Sequence, residues 1–170
     1  MMRGHALWLL PEAAAFARLA RLIDEVARAQ GAPVFEPHVT LLAGIALEGE
    51  ELLGRVRALA LGLEPAAVVL AGARHRAEYY EALTLDVEGG DLHGAHGRAA
   101  AAMEITPPPA YRPHLSLLYG DFPPAAKEAI LDRIGRRWDE RCLLDRLAVV
   151  SPQGPPQSWV RAATIALGGR

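Results

Sequence analysis

The chain has 170 residues, with 18 Lys+Arg against 20 Asp+Glu and a formal net charge of −2. That balance excludes a global electrostatic pull toward nucleic acid or an anionic membrane, so any phosphate site has to be built locally. With 51% hydrophobic residues the chain can bury a core as one domain without disulfides.

In chain order, His5–Leu10 reads as a short apolar strand. Pro11 then suits the opening of a helix carrying Phe16, Leu19, Ile23 and Val26 on one face, and Gly31 is placed to stop it. Pro37–Leu42 reads as a strand and Glu48–Leu63 as a helix with Leu52, Val56, Leu59 and Leu63 on one face. Ala66–Ala71 and Tyr79–Val87 read as paired strands, with the basic cluster Arg74–His75–Arg76 on a solvated turn between them. Gly89–Gly90 turns the chain, and Asp91 caps a helix reaching Met103 that carries His93 and His96 as surface residues. Pro107–Pro109 reads as a rigid connector. His114–Tyr119 is a strand; Pro123 and Pro124 open a helix with Ala126, Ile130, Ile134 and Trp138 on one face. Leu143–Val150 and Trp159–Leu167 close the chain as strands, Trp159 serving as core or as a stacking surface. The Pro/Gly-rich stretch Ser151–Ser158 between them is a candidate lid. Cys142 is the lone cysteine, and its apolar setting points to a buried structural thiol. No stretch approaches the roughly 20 apolar residues of a membrane span, and no leader is evident at Met1–Leu10, so a cytoplasmic location without membrane partners is expected.

Two segments are alike. Pro37–His38–Val39–Thr40–Leu41–Leu42 and Pro113–His114–Leu115–Ser116–Leu117–Leu118 each run Pro, His, aliphatic, hydroxyl, Leu, Leu, with the histidines 76 positions apart. Residues two apart on a strand share a face, so His38 points with Thr40 and His114 with Ser116. Strands brought side by side about a pseudo-twofold axis would converge two imidazoles and two hydroxyls. Opening a cyclic phosphate requires that set: one imidazole to take a proton from water, the other to give one to the leaving oxygen, and donors for the non-bridging oxygens. One such motif on a strand would mean little; the matched pair points to catalysis or phosphate binding. Neither motif carries neighbouring carboxylate or cysteine ligands, so no metal and no cofactor is expected.

The paired H-x-[ST] motifs resemble those of the two-histidine phosphoesterase superfamily. The run Tyr111–Asp121, with Tyr79–Tyr80 before it, is similar to the cyclic phosphodiesterase branch. The resemblance implies a bilobal, pseudo-symmetric α+β fold: two antiparallel sheets face a central cleft, helices lie outside, and residues 1–170 form a single domain whose intertwined lobes supply one motif each. It implies His38 and His114 as the catalytic pair, Thr40 and Ser116 as phosphate-holding hydroxyls, and Tyr119 as a substrate contact. Alternation puts Tyr119 on the face opposite His114, so that contact needs a twist or bulge near Gly120. The implied substrates are small molecules, a nucleoside 2′,3′-cyclic phosphate opened to the 2′-phosphate or ADP-ribose 1″,2″-cyclic phosphate, handled by a monomer. An RNA 2′,3′-cyclic phosphate end processed by a phosphodiesterase or ligase-like relative, and a non-catalytic module that binds a phosphorylated ligand, are the alternatives. Which histidine is base and which is acid does not follow from the motifs.

Overall fold

The computed structural model describes residues 4–106 and 110–169. Its elements are β1 (His5–Pro11), α1 (Ala13–Gln30), β2 (Val39–Ile45), α2 (Gly49–Leu61), β3 (Ala66–His75), β4 (Leu83–Gly89), α3 (Leu92–Ala102), β5 (His114–Leu118), α4 (Pro124–Ile134), β6 (Glu140–Ser151) and β7 (Val160–Ala166). Short 3₁₀ turns occupy Tyr79–Glu81, Pro156–Ser158 and Leu167–Gly169. Setting β7 aside, the order is β-α-β-α-β twice over. Among the described residues no helix is long and apolar enough to cross a membrane.

All pairings are antiparallel, in the order β1-β2-β5-β4-β3-β6-β7 with a further β1–β6 pairing. The seven strands thus form one sheet closed on itself by β1–β6, and its two lobes, β2-β1-β6-β7 and β5-β4-β3, are joined at Val39↔Leu115 on one side and along Ala66–Leu70 with Glu140–Leu144 on the other. The halves are interleaved. Each third strand pairs with the first strand of the other half, β3 with β4 and β6 with β1. The helices cross over as well, α1 packing on β5 and α3 on β2.

The period-2 patterns explain the layers. Leu7, Leu9, Val39, Leu41, Leu83, Leu85, Leu115 and Leu117 join Leu19, Ile23, Leu52, Val56, Leu92 and Ile130 of the helices in one main core. On the other face Ala6, Trp8, Leu10, Ala148 and Val150 make a separate small cluster, covered by Phe16 and Trp159. Gly31 closes α1 in the left-handed conformation (φ 63°), as its place after the last apolar turn predicts. Asp91 caps α3, its carboxylate accepting from Gly94 N–H at 3.1 Å. Cys142 is buried and free.

Four local readings need correcting, and the Pro107–Pro109 connector lies outside the described residues. Tyr79–Glu81 is a 3₁₀ turn, not strand, because other donors take its carbonyls: Gly120 N–H on Tyr79 and Ser116 Oγ–H on Tyr80, both at 2.9 Å. The α4 helix stops at Ile134 rather than running to Trp138, since Gly135 leaves helical geometry with φ 86°; Trp138 folds back to donate to the Gly135 carbonyl. Arg74 and His75 end β3 instead of sitting on a solvated turn. They are held there by Asp86 and by Glu128 respectively, while Arg76 pairs with Glu81 at 3.2 Å. His96 is buried, not on the surface, whereas His93 is exposed.

Candidate active site

Each motif histidine is locked by its own backbone. His38 Nδ1 lies 2.7 Å from the Glu36 carbonyl and His114 Nδ1 lies 2.9 Å from the Arg112 carbonyl. A carbonyl only accepts, so both imidazoles carry a proton on Nδ1, and Nε2 is the nitrogen left for chemistry. The prolines explain the match. Glu36 and Arg112 each precede a proline, which holds them extended and sets the carbonyl that the next residue but one can reach.

The strands then place the hydroxyls. Val39 pairs with Leu115, and the antiparallel register runs His38 toward Ser116 and Thr40 toward His114. Thr40 and His114 line one cavity of about 380 Å³ together with Glu81, His96, Tyr111 and Arg112. Ser116 is buried, with its hydroxyl on the Tyr80 carbonyl.

Both motifs contain a β-bulge at the same position. In β5, Thr84 pairs with Ser116 but Leu83 pairs with Leu118, so Leu117 is the extra residue. In β2, Trp8 pairs with Thr40 but Leu7 pairs with Leu42, so Leu41 is the extra residue. A bulge shifts the alternation by one, which turns Tyr119 onto the face of His114 and Ser116. Tyr119 is buried and stacks on Phe35 with ring centroids 3.7 Å apart. Burial pushes the phenol up from its ordinary value, which keeps it a neutral donor.

The pseudo-symmetry breaks at the residue across from each hydroxyl. Trp8 and Thr84 are 76 positions apart and pair with Thr40 and Ser116 respectively. Trp8 stacks on His38 at 3.6 Å between centroids, and His38 is only 5% exposed. Burial, assisted by the neighbouring His114, pushes the His38 imidazole down to about 4 against the opposing pull of the Glu36 carbonyl. His114 has no such cover, and Glu81 Oε1 lies 4.0 Å from its Nε2. Glu81 is itself held by Arg76 and Arg112. Beyond Trp8 lies a second cavity of about 440 Å³ with aromatic walls, lined by Trp8, Phe16, Phe35, Trp159, Glu36 and Arg161.

The profile of the 2′-5′ RNA ligase superfamily matches residues 3–156. The chain belongs to this superfamily. It is the superfamily of two-histidine phosphoesterases, whose members are generally phosphoesterases and ligases. The fold of the superfamily is seen in a Thermus thermophilus protein, TT0787, at 18% identity and TM-score 0.62, covering 97% of this chain and 98% of that one. Escherichia coli LigT, in the structure described as its complex with NADP+, has 14% identity and TM-score 0.63, with 99% of both chains covered. No curated protein sequence matches the chain.

In this member of the superfamily, the structure brings together all five residues singled out by the motifs: His38, Thr40, His114, Ser116 and Tyr119. It adds Trp8, Phe35, Glu81, His96 and Tyr111, which motif reading passed over. One signal was available for two of them. Phe35 and Tyr111 are aromatic residues three positions before each motif histidine, so the repeat is longer than its Pro-His core. Trp159 is half-buried and tilted against Trp8, Tyr80 and Tyr119, facing the aromatic cavity rather than the main core alone. The Ser151–Ser158 stretch is tied within itself: Ser158 Oγ is 2.8 Å from the Pro155 carbonyl and Trp159 Nε1 donates to Gly154 at 3.1 Å. Among the described residues no three His, Cys, Asp or Glu side chains are grouped to hold a metal.

Proposed function

We propose that the protein hydrolyses a cyclic phosphodiester of a small molecule, a nucleoside 2′,3′-cyclic phosphate or ADP-ribose 1″,2″-cyclic phosphate, to a phosphomonoester without a metal. The observation that carries this is the pair of carbonyl-locked imidazoles, each with Nε2 free and a hydroxyl two residues on. His38, neutral at pH 7, is the general base: its Nε2 takes a proton from water as the water oxygen attacks phosphorus. His114 is the general acid. It gives the Nε2 proton to the ribose oxygen as the P–O bond breaks, with the Glu81 carboxylate beside it. Thr40 and Tyr119 donate to the non-bridging oxygens, where negative charge grows, and Ser116 joins them by turning its hydroxyl from the Tyr80 carbonyl to the phosphate.

The aromatic cavity next to His38 supports a nucleotide substrate, since Trp8, Phe35 and Trp159 offer ring faces to a base. Structures of LigT are described with NADP+ and with 3′-AMP, both nucleotides. An RNA end is the second reading, favoured by the superfamily's ligase name. Against it, Arg161 is paired with Glu36, and Arg76 and Arg112 share the Glu81 carboxylate, so these three arginines leave a net charge of only about one. A polyanion would meet few free cations there.

The test is hydrolysis of both cyclic phosphates in the presence of a chelator, with His38→Ala and His114→Ala beside the wild type. Turnover by the wild type and a loss of about 10²–10⁴-fold in each variant is the expected result. Turnover of neither compound by the wild type would move the assignment to an RNA end. Ligand binding without turnover of any cyclic phosphate would make the protein a binding module.

A further inference from the structure

The hydroxyls of the two motifs are held differently. Ser116 Oγ–H is tied directly to the Tyr80 carbonyl at 2.9 Å. Among the described residues the Thr40 hydroxyl has no hydrogen-bond partner, so its direction depends on the backbone that carries it. That backbone is a bulge, where Leu41 has no partner residue in the ladder.

Side chains from outside the sheet take up its carbonyls. His96 of α3 donates from Nδ1 to the Leu41 carbonyl at 2.7 Å, and Tyr111 donates from its hydroxyl to the Thr40 carbonyl at 3.0 Å. The two rings lie on each other, centroids 4.1 Å apart and planes 3° from parallel. His96 is buried, and burial pushes the Tyr111 phenol up, keeping it a neutral donor. The first half has no copy of this device: 76 positions before His96 stands Ala20, and before Tyr111 stands Phe35, which lacks a hydroxyl.

We propose that His96 and Tyr111 are positioning residues that clamp the β2 bulge and thereby aim the Thr40 hydroxyl at the substrate phosphate. The proposal rests on the reading of Thr40 as a phosphate-holding group. The physical link is short. Fixing the Thr40 and Leu41 carbonyls fixes the Thr40 backbone, and a β-branched side chain on a fixed backbone has few rotamers left. His96 occupies this role with Nδ1 alone, so an asparagine, whose amide nitrogen sits in nearly the same place, should do the same work.

The experiment is steady-state hydrolysis of a nucleoside 2′,3′-cyclic phosphate by His96→Ala, His96→Asn, Tyr111→Phe and Thr40→Val, and by Thr40→Val combined with His96→Ala, with thermal melting as the folding control. Thr40→Val is expected to lower kcat/KM by about tenfold or more, and His96→Ala by about three- to tenfold. His96→Asn restores most of the loss, and Tyr111→Phe keeps the stacked ring while losing part of kcat/KM. In the Thr40→Val background, His96→Ala should change kcat/KM by less than about twofold, because the two act through one group. Full multiplication of the two losses, or a folded His96→Asn protein as impaired as His96→Ala, would overturn the clamp and leave the Thr40 reading standing. An unimpaired Thr40→Val protein would overturn the Thr40 reading, and the clamp with it. Should His96→Ala not fold, Tyr111→Phe and His96→Asn carry the same comparison.

Discussion

The indole of Trp8 lies flat on the imidazole of His38, ring centroids 3.6 Å apart and planes 8° from parallel. At the matching place in the second half stands Thr84, which leaves His114 uncovered. The difference between Trp8 and Thr84 at this one matching position thus separates two histidines of like sequence. Trp8→Ala should let water back to His38 and carry its pKa from about 4 toward the ordinary 6.5. The acid limb of kcat/KM then moves up in pH by the same amount, and the His38 resonance in an NMR titration follows it. A His38 titration unmoved by Trp8→Ala would mean that the indole is not what desolvates it.

The assignment of roles has its own test. If His114 protonates the leaving oxygen, a phosphodiester with a nitrophenol leaving group needs that proton much less. His114→Asn should regain about 10- to 100-fold relative to wild type on such a substrate. His38→Asn should regain little. The reverse pattern would exchange the roles.

Stability should also depend on His38. Its folded pKa of about 4 lies below the unfolded 6.5, so the unfolded chain takes up the proton first. The stabilising contribution is complete above pH 6.5 and is lost as pH falls toward 4, at most about 3 kcal/mol. Urea midpoints at pH 7 and pH 4.5 should differ less for His38→Asn than for the wild type.

Gly120 follows the bulge that turns Tyr119. Its φ is +143°, and a Cβ there would sit 2.4 Å from the Phe122 ring. Gly120→Ala should cost about 1–3 kcal/mol by urea unfolding. A rise in KM should accompany it, because Tyr119 moves with this residue. A loss of stability with KM unchanged would remove Tyr119 from the substrate contacts.

Cys142 should be inert in the folded protein. Burial, with Glu140 and Glu12 adding to it, pushes the thiol up to about 11, so little thiolate exists at neutral pH. Labelling by a thiol reagent should be slow in buffer and fast in urea.

The order of elements was legible because each core-facing stripe has a clean period, as in Leu19, Ile23 and Val26 or in Leu83, Leu85 and Val87. The motifs were legible because a six-residue pattern recurs. What was hidden is whatever depends on partners distant in sequence. His96 looked like a surface residue because α3 is rich in alanine, so its apolar face is broad and unmarked; burial came from Tyr111 and the Leu41 carbonyl, on other elements. Tyr79 and Tyr80 have high strand propensity, yet donors from Gly120 and Ser116 took their carbonyls. The bulges leave no mark in a run such as Ser116–Leu117–Leu118, where both leucines are fully buried. Simple alternation therefore misplaced Tyr119, although the condition for its rescue could be stated in advance.

The exchange of third strands between the halves has a consequence for how the protein is made. β1 needs β6, and their pairing joins Ala6–Pro11 to Leu144–Val150, near opposite ends of the chain. A ribosome exposes β1 long before its second neighbour exists, and β1, β2 and β3 alone cannot close the sheet. Completion of the β1–β6 pairing must await the emergence of β6, and closure of such distant pairings is slow. Until then the apolar strand His5–Pro11 is a sticky nascent segment, and chaperone demand should be set by the time between its emergence and that of β6.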